Sequence, residues 1–288
     1  MNVGLAELHV HLEGTVRRET ALELAARHGA GAPPPYGYST LAGFLDVYRV
    51  VAASMRTAED FSRVIAEHAR ATAAEGVRYA EISFNPALHP PAEEWIAGIV
   101  DGRRQAKRSS GLEIAWLVEL ARDASAEANQ SAVELALATE GVVGLGLVGD
   151  ESIPSDAIAP VIARARARGL RFMPHAGQTG DARVVREAVE VLHADRIAHG
   201  VAAAADPVLM RELAARGICL CVCPSSNARI GLRPDYAALA AAGIPLTVNT
   251  DDPAFVGTTL GRELELAERS LGLGREALVA AAWRHRFA

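Results

Sequence analysis

Cysteine is scarce in this chain of 288 residues, and its three copies, Cys219, Cys221 and Cys223, alternate along one expected strand. Residues i and i+2 of a strand project in parallel, with Cα atoms near the ~7 Å limit for a disulfide. Cys-x-Cys-x-Cys is not a usual zinc spacing either. The three are expected to be small buried residues in a reducing compartment. Blocks of five or more Lys/Arg are absent, and the net charge is −6, which argues against a nucleic-acid or anionic-membrane footprint. An uncharged or cationic small molecule suits that balance better. No window approaches the roughly 18 apolar residues of a membrane span, and the N-terminus has neither the basic flank nor the apolar run of a signal peptide. A soluble, cytoplasmic protein with no membrane or nucleic-acid partner is expected. Glycine-rich phosphate loops are missing as well: no G-x-G-x-x-G or Walker A pattern follows any expected strand.

What is present is a large potential core, with 50% hydrophobic and 22% charged residues, and no compositional boundary along the chain. A single domain over 1–288 is expected. Strands are expected at Leu5–His11, Val77–Phe84, Leu112–Val118, Val142–Val148, Arg171–Pro174, Arg196–Ala198, Ile218–Val222 and Pro245–Asn249. Helical runs separate them, several ending at or near a glycine such as Gly169, Gly217 or Gly243. Eight β-then-α units point to an α/β fold of the (β/α)8 TIM-barrel type, not to a doubly wound sheet. Between the first two strands, Pro33–Gly37 interrupts the alternation and leads to an amphipathic helix over Leu41–Met55. Two readings of this helix stand: packing on the body, or a lid with Phe44 and Leu45 over a pocket mouth.

Barrel enzymes carry their reactive groups at the C-terminal ends of the strands. Here those ends read His9-Val10-His11 for the first strand, Gly149-Asp150-Glu151 for the fourth and His175-Ala176-Gly177-Gln178 for the fifth. The sixth ends in His199-Gly200, the seventh in Pro224-Ser225-Ser226-Asn227 and the eighth in Thr250-Asp251-Asp252-Pro253. In a strand, residues i and i+2 share a face, so His9 and His11 present two imidazoles together. The simplest physical account is that His9, His11, His175 and Asp251 converge on one ion. Three imidazoles and a carboxylate suit Zn²⁺, with a position left for water. Asp252 is then expected on the substrate side, and His199 beside the nucleophile. The remaining histidines, His28, His68, His89, His193 and His285, fall away from these mouths and are expected to take no part.

Glu7-Leu8-His9-Val10-His11-Leu12-Glu13-Gly14, His175-Ala176-Gly177, Arg196-Ile197-Ala198-His199-Gly200, Cys223-Pro224-Ser225-Ser226-Asn227 and Thr250-Asp251-Asp252-Pro253 together resemble the adenosine deaminase family of metal-dependent amidohydrolases. The likeness runs in order over roughly residues 5–265. It implies hydrolytic deamination of a 6-aminopurine nucleoside or base with one zinc held by His9, His11, His175 and Asp251. His199 and Asp252 would assist attack, with His11, Glu13, Gly149 and Asp252 around the substrate. Gly149 matches a glycine whose backbone meets the purine ring, and Glu13 an acidic residue facing the ribose or its replacement. Glu at that position is more typical of bacterial members acting on adenine or aminodeoxyfutalosine. The other zinc deaminase pattern, His-x-Glu with Pro-Cys-x-x-Cys, does not occur.

Two departures stand out. The family has His-Ala-Gly-Glu, whose Glu is the acid that protonates purine N1; here residue 178 is Gln, which can donate a hydrogen bond but cannot transfer a proton at neutral pH. Three readings follow: a deliberate Glu→Gln change, natural loss of activity, or a divergent reaction in which Glu151 or a water supplies the proton. A purine-binding protein with little turnover, and a hydrolase of a non-purine amine, are the corresponding alternatives in function. The second departure is the C-terminal part, where the last expected helix, Arg275–Arg284, is followed by fewer helices than family members carry.

Overall fold

The computed structural model describes residues 4–287. Eight parallel strands stand in sequence order: β1 (Leu5–His11), β2 (Val77–Phe84), β3 (Glu113–Ala121), β4 (Val142–Val148), β5 (Arg171–Ala176), β6 (Arg196–His199), β7 (Cys219–Val222) and β8 (Leu246–Val248). The sheet closes on itself between β8 and β1. His11 N–H donates to Asp251 O at 2.8 Å, and Asp251 N–H to His9 O at 3.1 Å. Side chains extend that seam, since Leu8 N–H donates to Asn249 Oδ1 and Thr250 N–H to Glu7 Oε1. The (β/α)8 barrel is therefore as expected. Three strands run further than the sequence suggests, β3 to Ala121, β5 to Ala176 and β6 to His199, because pairing continues to the very mouth.

Local sequence sets the helices around it. Ala58–Ala74 opens with a capping box in which the Thr57 side chain accepts from Asp60 N–H and Asp60 accepts from Thr57 N–H, satisfying two helix-end donors at once. Ile96–Ser110 stops at Gly111, which holds φ 73°, a left-handed cap that costs glycine little. The helix after β1 spans Arg18–Arg27, and the inserted helix Leu41–Ala52.

One strand departs from simple alternation. A register irregularity lies between Glu7 and Val10. Ala6 and Leu8 pack inside the barrel with Tyr79, Leu117, Met173, Ala198 and Cys221, yet His9 also faces inward, onto His11, His175 and His199. The bulge thus turns two successive residues to the same side. Glu7 is left outside the wall, in a cavity of about 170 Å³ bordered by Glu67, His68, Thr72 and Leu260.

The three cysteines are free and buried, as expected. Toward the N-terminal end of the barrel a buried ion pair joins Arg196 to Glu81. The Arg196 guanidinium lies 3.6 Å from the centre of the Phe287 ring and donates to His285 O. Glu81 also accepts from Tyr79 Oη and Phe287 N–H. Among the described residues no helix is long and apolar enough to cross a membrane.

Candidate metal and active site

The C-terminal mouth gathers His9, His11, His175 and Asp251 as the sequence predicts. His9 Nε2 and His11 Nε2 each lie 3.2 Å from His175 Nε2. They are 3.2 and 3.3 Å from Asp251 Oδ1. These four separations match the edge of a tetrahedron whose centre is about 2.0 Å from each corner, the bond length zinc makes to nitrogen and carboxylate oxygen. Ligand atoms of His9, His175, His199 and Asp251, and of His11, Glu119 and His175, lie close enough together to hold a metal ion.

Each imidazole is oriented through its other nitrogen. His9 Nδ1 meets Cys221 O at 3.3 Å, His175 Nδ1 meets Leu147 O at 3.1 Å, and His11 Nδ1 meets Ser83 Oγ at 2.9 Å. Ser226 Oγ donates to Asp251 Oδ2 at 2.6 Å. Such partners fix ring orientation and tautomer and would present Nε2 to a metal ion. Ser226 lies in the Cys223–Asn227 motif, but Ser83 and the two carbonyls carry no sequence signal, because only folding brings them to these rings.

The groups of the cluster shift one another strongly. Burial opposes charge on His11, but the Asp251 hydrogen bond, with Asp252 and Glu119 nearby, outweighs it and holds the pKa at about 10. Burial and the adjacent His9 and His11 push His175 well below the usual imidazole value. Burial, and then Asp251, drive the Asp252 carboxyl well above its ordinary range. A bare cluster of this kind can relieve its carboxylates only by keeping protons on them or on an imidazole.

Two side chains face the cluster with polar atoms unspent. Both ring nitrogens of His199 are buried without a hydrogen-bond partner, as is Asp252 Oδ1. His199 Nε2 stands 3.7 Å from Asp251 Oδ2, and burial lowers its pKa to about 3. Gly14 makes room for Asp252, since a Cβ there would sit 2.0 Å from its Oδ1. His199 and Asp251 hold φ of 62° and 64°, unusual for residues with side chains and a kind of strain that concentrates at functional sites.

The substrate-side residues are placed less simply. Gly149 follows β4 with φ 103°. Gln178 lies in the turn after β5, its Nε2 donating to Asn227 Oδ1 at 3.3 Å. Glu13 is fully buried, and its oxygens already accept from Tyr48 Oη, Asn85 N–H and His89 Nε2, each at 2.9 Å. His89, expected to take no part, is thus a hydrogen-bond partner of Glu13. Tyr48, on the inserted helix, stands between Glu13 and the cluster, its ring centre 6.3 Å from that of His11. Phe44 packs beside it against Tyr38 and Phe255.

Sequence reasoning also missed Glu119 on β3, buried 3.7 Å from His11 Nδ1 with Oε2 unpartnered. Its space comes from Gly146, where a Cβ would sit 2.1 Å from that oxygen. An isolated Glu in an apolar strand gives no hint of such a neighbour. Glu151, one of the candidate proton sources, instead accepts backbone N–H groups from the turn after β5.

A (β/α)8 barrel with this donor set at its C-terminal mouth is the architecture of a metal-dependent hydrolase. The family described as adenosine deaminase matches residues 4–284, and the chain belongs to that family, whose enzymes are hydrolases acting on C–N bonds. An aminodeoxyfutalosine deaminase of Acidothermus cellulolyticus is 39% identical over 290 residues, covering 91% of this chain and 82% of the relative. The crystal structure of an adenine deaminase from Arthrobacter aurescens superposes with a TM-score of 0.93 at 30% identity, covering 99% of this chain and 94% of that one. An amidohydrolase from Burkholderia ambifaria, solved with bound Zn, gives 0.91 at 27% identity, with 99% and 86% covered.

Proposed function

We propose that this protein hydrolyses the exocyclic C–N bond of a 6-aminopurine nucleoside or base, releasing ammonia, with one Zn²⁺ held by His9, His11, His175 and Asp251. The observation that carries it is the conjunction of His9 and His11 nitrogens, each 3.2–3.3 Å from both His175 Nε2 and Asp251 Oδ1, with the unspent nitrogens of His199 and Oδ1 of Asp252 beside them. When bound, the ion would lower the pKa of a water toward ~7 and supply the nucleophile.

The chain's own groups do the rest. His199, its two nitrogens free, orients the attacking oxygen and holds a proton beside it. Asp252 accepts from the same oxygen or, protonated, donates to a ring nitrogen. The Gly149 backbone meets the purine edge. Gln178 uses its remaining N–H to hold N1 but transfers no proton. The helix Leu41–Ala52 serves as the lid, with Tyr48 as the part of it that reaches the substituent at N9. Glu13 acts on that end of the substrate by holding Tyr48 in place. A second reading, a purine-binding protein that turns over slowly, is favoured by Gln178 alone.

The deciding experiment is ammonia release from a panel of aminopurines (adenine, adenosine and aminodeoxyfutalosine), run on this chain and on Gln178→Glu. Release from at least one compound by the Gln178→Glu protein is expected. Silence from both proteins, each carrying about one equivalent of zinc, would overturn the deaminase reading. The Tyr48→Phe variant should raise KM, or change the choice among these compounds, more than it slows turnover.

A further inference from the structure

The turn Ala176–Gly180 begins one residue after the ligand His175 and carries Gln178. Three of its amides, Gly177, Gln178 and Gly180, converge on one carboxylate, that of Glu151, at 2.9, 3.1 and 2.7 Å. Glu151 is buried and belongs to the loop after β4, two residues beyond Gly149. The fit is close. A Cβ at Gly180 would stand 2.6 Å from Glu151 Oε2, and Gly177 holds φ 69°, so the turn wraps the carboxylate only because both positions are glycine. Arg122 braces the same corner, donating to His175 O at 3.1 Å and to Ser155 Oγ at 2.6 Å.

We propose that Glu151 is a positioning residue that clamps the turn after β5 to the loop after β4, and so sets residue 178 against Gly149 at a fixed separation. This rests on the aminopurine reading above, in which those two positions grip one ring. Successive N–H groups curled inward form a nest that attracts an anion, and here the protein fills it from within. Hydrogen bonds to a carboxylate are shorter and stronger than neutral ones, and losing the acceptor would leave three amides short of a partner. With both oxygens committed, Glu151 is not the replacement proton source for Gln178. Its work is geometric.

The test uses the zinc-loaded protein with Glu151→Gln and Glu151→Ala. Residue-resolved amide exchange should show protection at Gly177, Gln178 and Gly180 falling at least about tenfold in Glu151→Ala and less in Glu151→Gln. Gly200 N–H, which donates to Ala176 O at 3.0 Å in the adjoining β5–β6 pairing, should keep its protection, and zinc content should stay at the parent level. Affinity for adenine should fall with the same ranking. If the parent protein binds no aminopurine, the functional reading fails while the exchange data still judge the clamp. Unchanged protection at all three amides would overturn it. So would a loss spread equally to Gly200 and accompanied by zinc loss, which would mark Glu151 as a general stabiliser. Should Glu151→Ala not fold, a loss confined to the turn in Glu151→Gln carries the same conclusion.

Discussion

Toward the N-terminal end of the barrel, Arg196 and Glu81 are buried together, and each finds partners inside the protein: a carboxylate, a main-chain carbonyl and an aromatic face for the one, a guanidinium, a tyrosine and an amide for the other. At the C-terminal end four imidazoles meet Asp251, Asp252 and Glu119, yet both nitrogens of His199, Oδ1 of Asp252 and Oε2 of Glu119 are left with none. Among the described residues, two of the three side-chain-bearing residues with positive φ also lie at that end. Buried polar atoms normally find partners; orphans occur elsewhere too, on Trp116 Nε1 and Arg196 Nε for example, but four of them face one cluster at the C-terminal mouth. The lower cluster leaves one such atom, Arg196 Nε, while its charges are paired. The upper one leaves four, which the proposed function would fill with an ion, a nucleophile and a substrate.

That contrast can be broken by experiment, and the largest effect concerns the ion. Elemental analysis of protein purified without chelator should show about one equivalent of zinc, and His9→Ala combined with His11→Ala should abolish it. Unchanged metal in that variant would sink the assignment. The lower end should respond in the opposite manner. Arg196→Ala leaves Glu81 buried without its cation and should cost about 3–5 kcal/mol in denaturant unfolding, with the zinc content of the surviving folded protein unaltered.

His68 gives a reference outside both ends. It lies on the helix Ala58–Ala74 beside the Glu7 cavity, and burial lowers its pKa from 6.5 to about 4. Above pH 6.5 the folded and unfolded forms are both neutral. As pH falls through 6.5, the unfolded chain takes a proton that the folded one refuses until about pH 4. Stability is therefore lost across that window, by about 3 kcal/mol at its lower edge. Urea titrations of the parent and of His68→Leu should differ in slope against pH only there. Parallel curves would show that His68 is hydrated.

The smallest expected effect, in free energy, is at residue 178. Attack at C6 leaves electrons that settle on N1, so a proton delivered there favours the transition state over the ground state. Gln178→Glu should turn over at least about 10²-fold faster with similar affinity, measured by single-turnover ammonia release. Equal rates would mean that N1 draws its proton elsewhere. Glu119, rather than Glu151, would then be the carboxyl to replace next.

The barrel and the residues gathered at its mouth were legible in the sequence because both follow from local rules: eight strand patterns each preceded or followed by a helical one, and reactive residue types placed just where those patterns end. His9 and His11 needed only the two-residue period of a strand to be paired. What that period could not show is the bulge before His9, which turns Leu8 and His9 to the same side and puts Glu7 outside the wall. Nor could it show that Glu13 is sealed in by Tyr48, Asn85 and His89, that Glu151 is wrapped by a turn 26 or more residues away, or that Glu119 reaches His11 across the barrel. Side-chain type and spacing along the chain decide which groups arrive at the mouth. Which of them are neutralised there, and which are left free to act, depends on neighbours contributed by other strands and loops, and only the closed barrel supplies those.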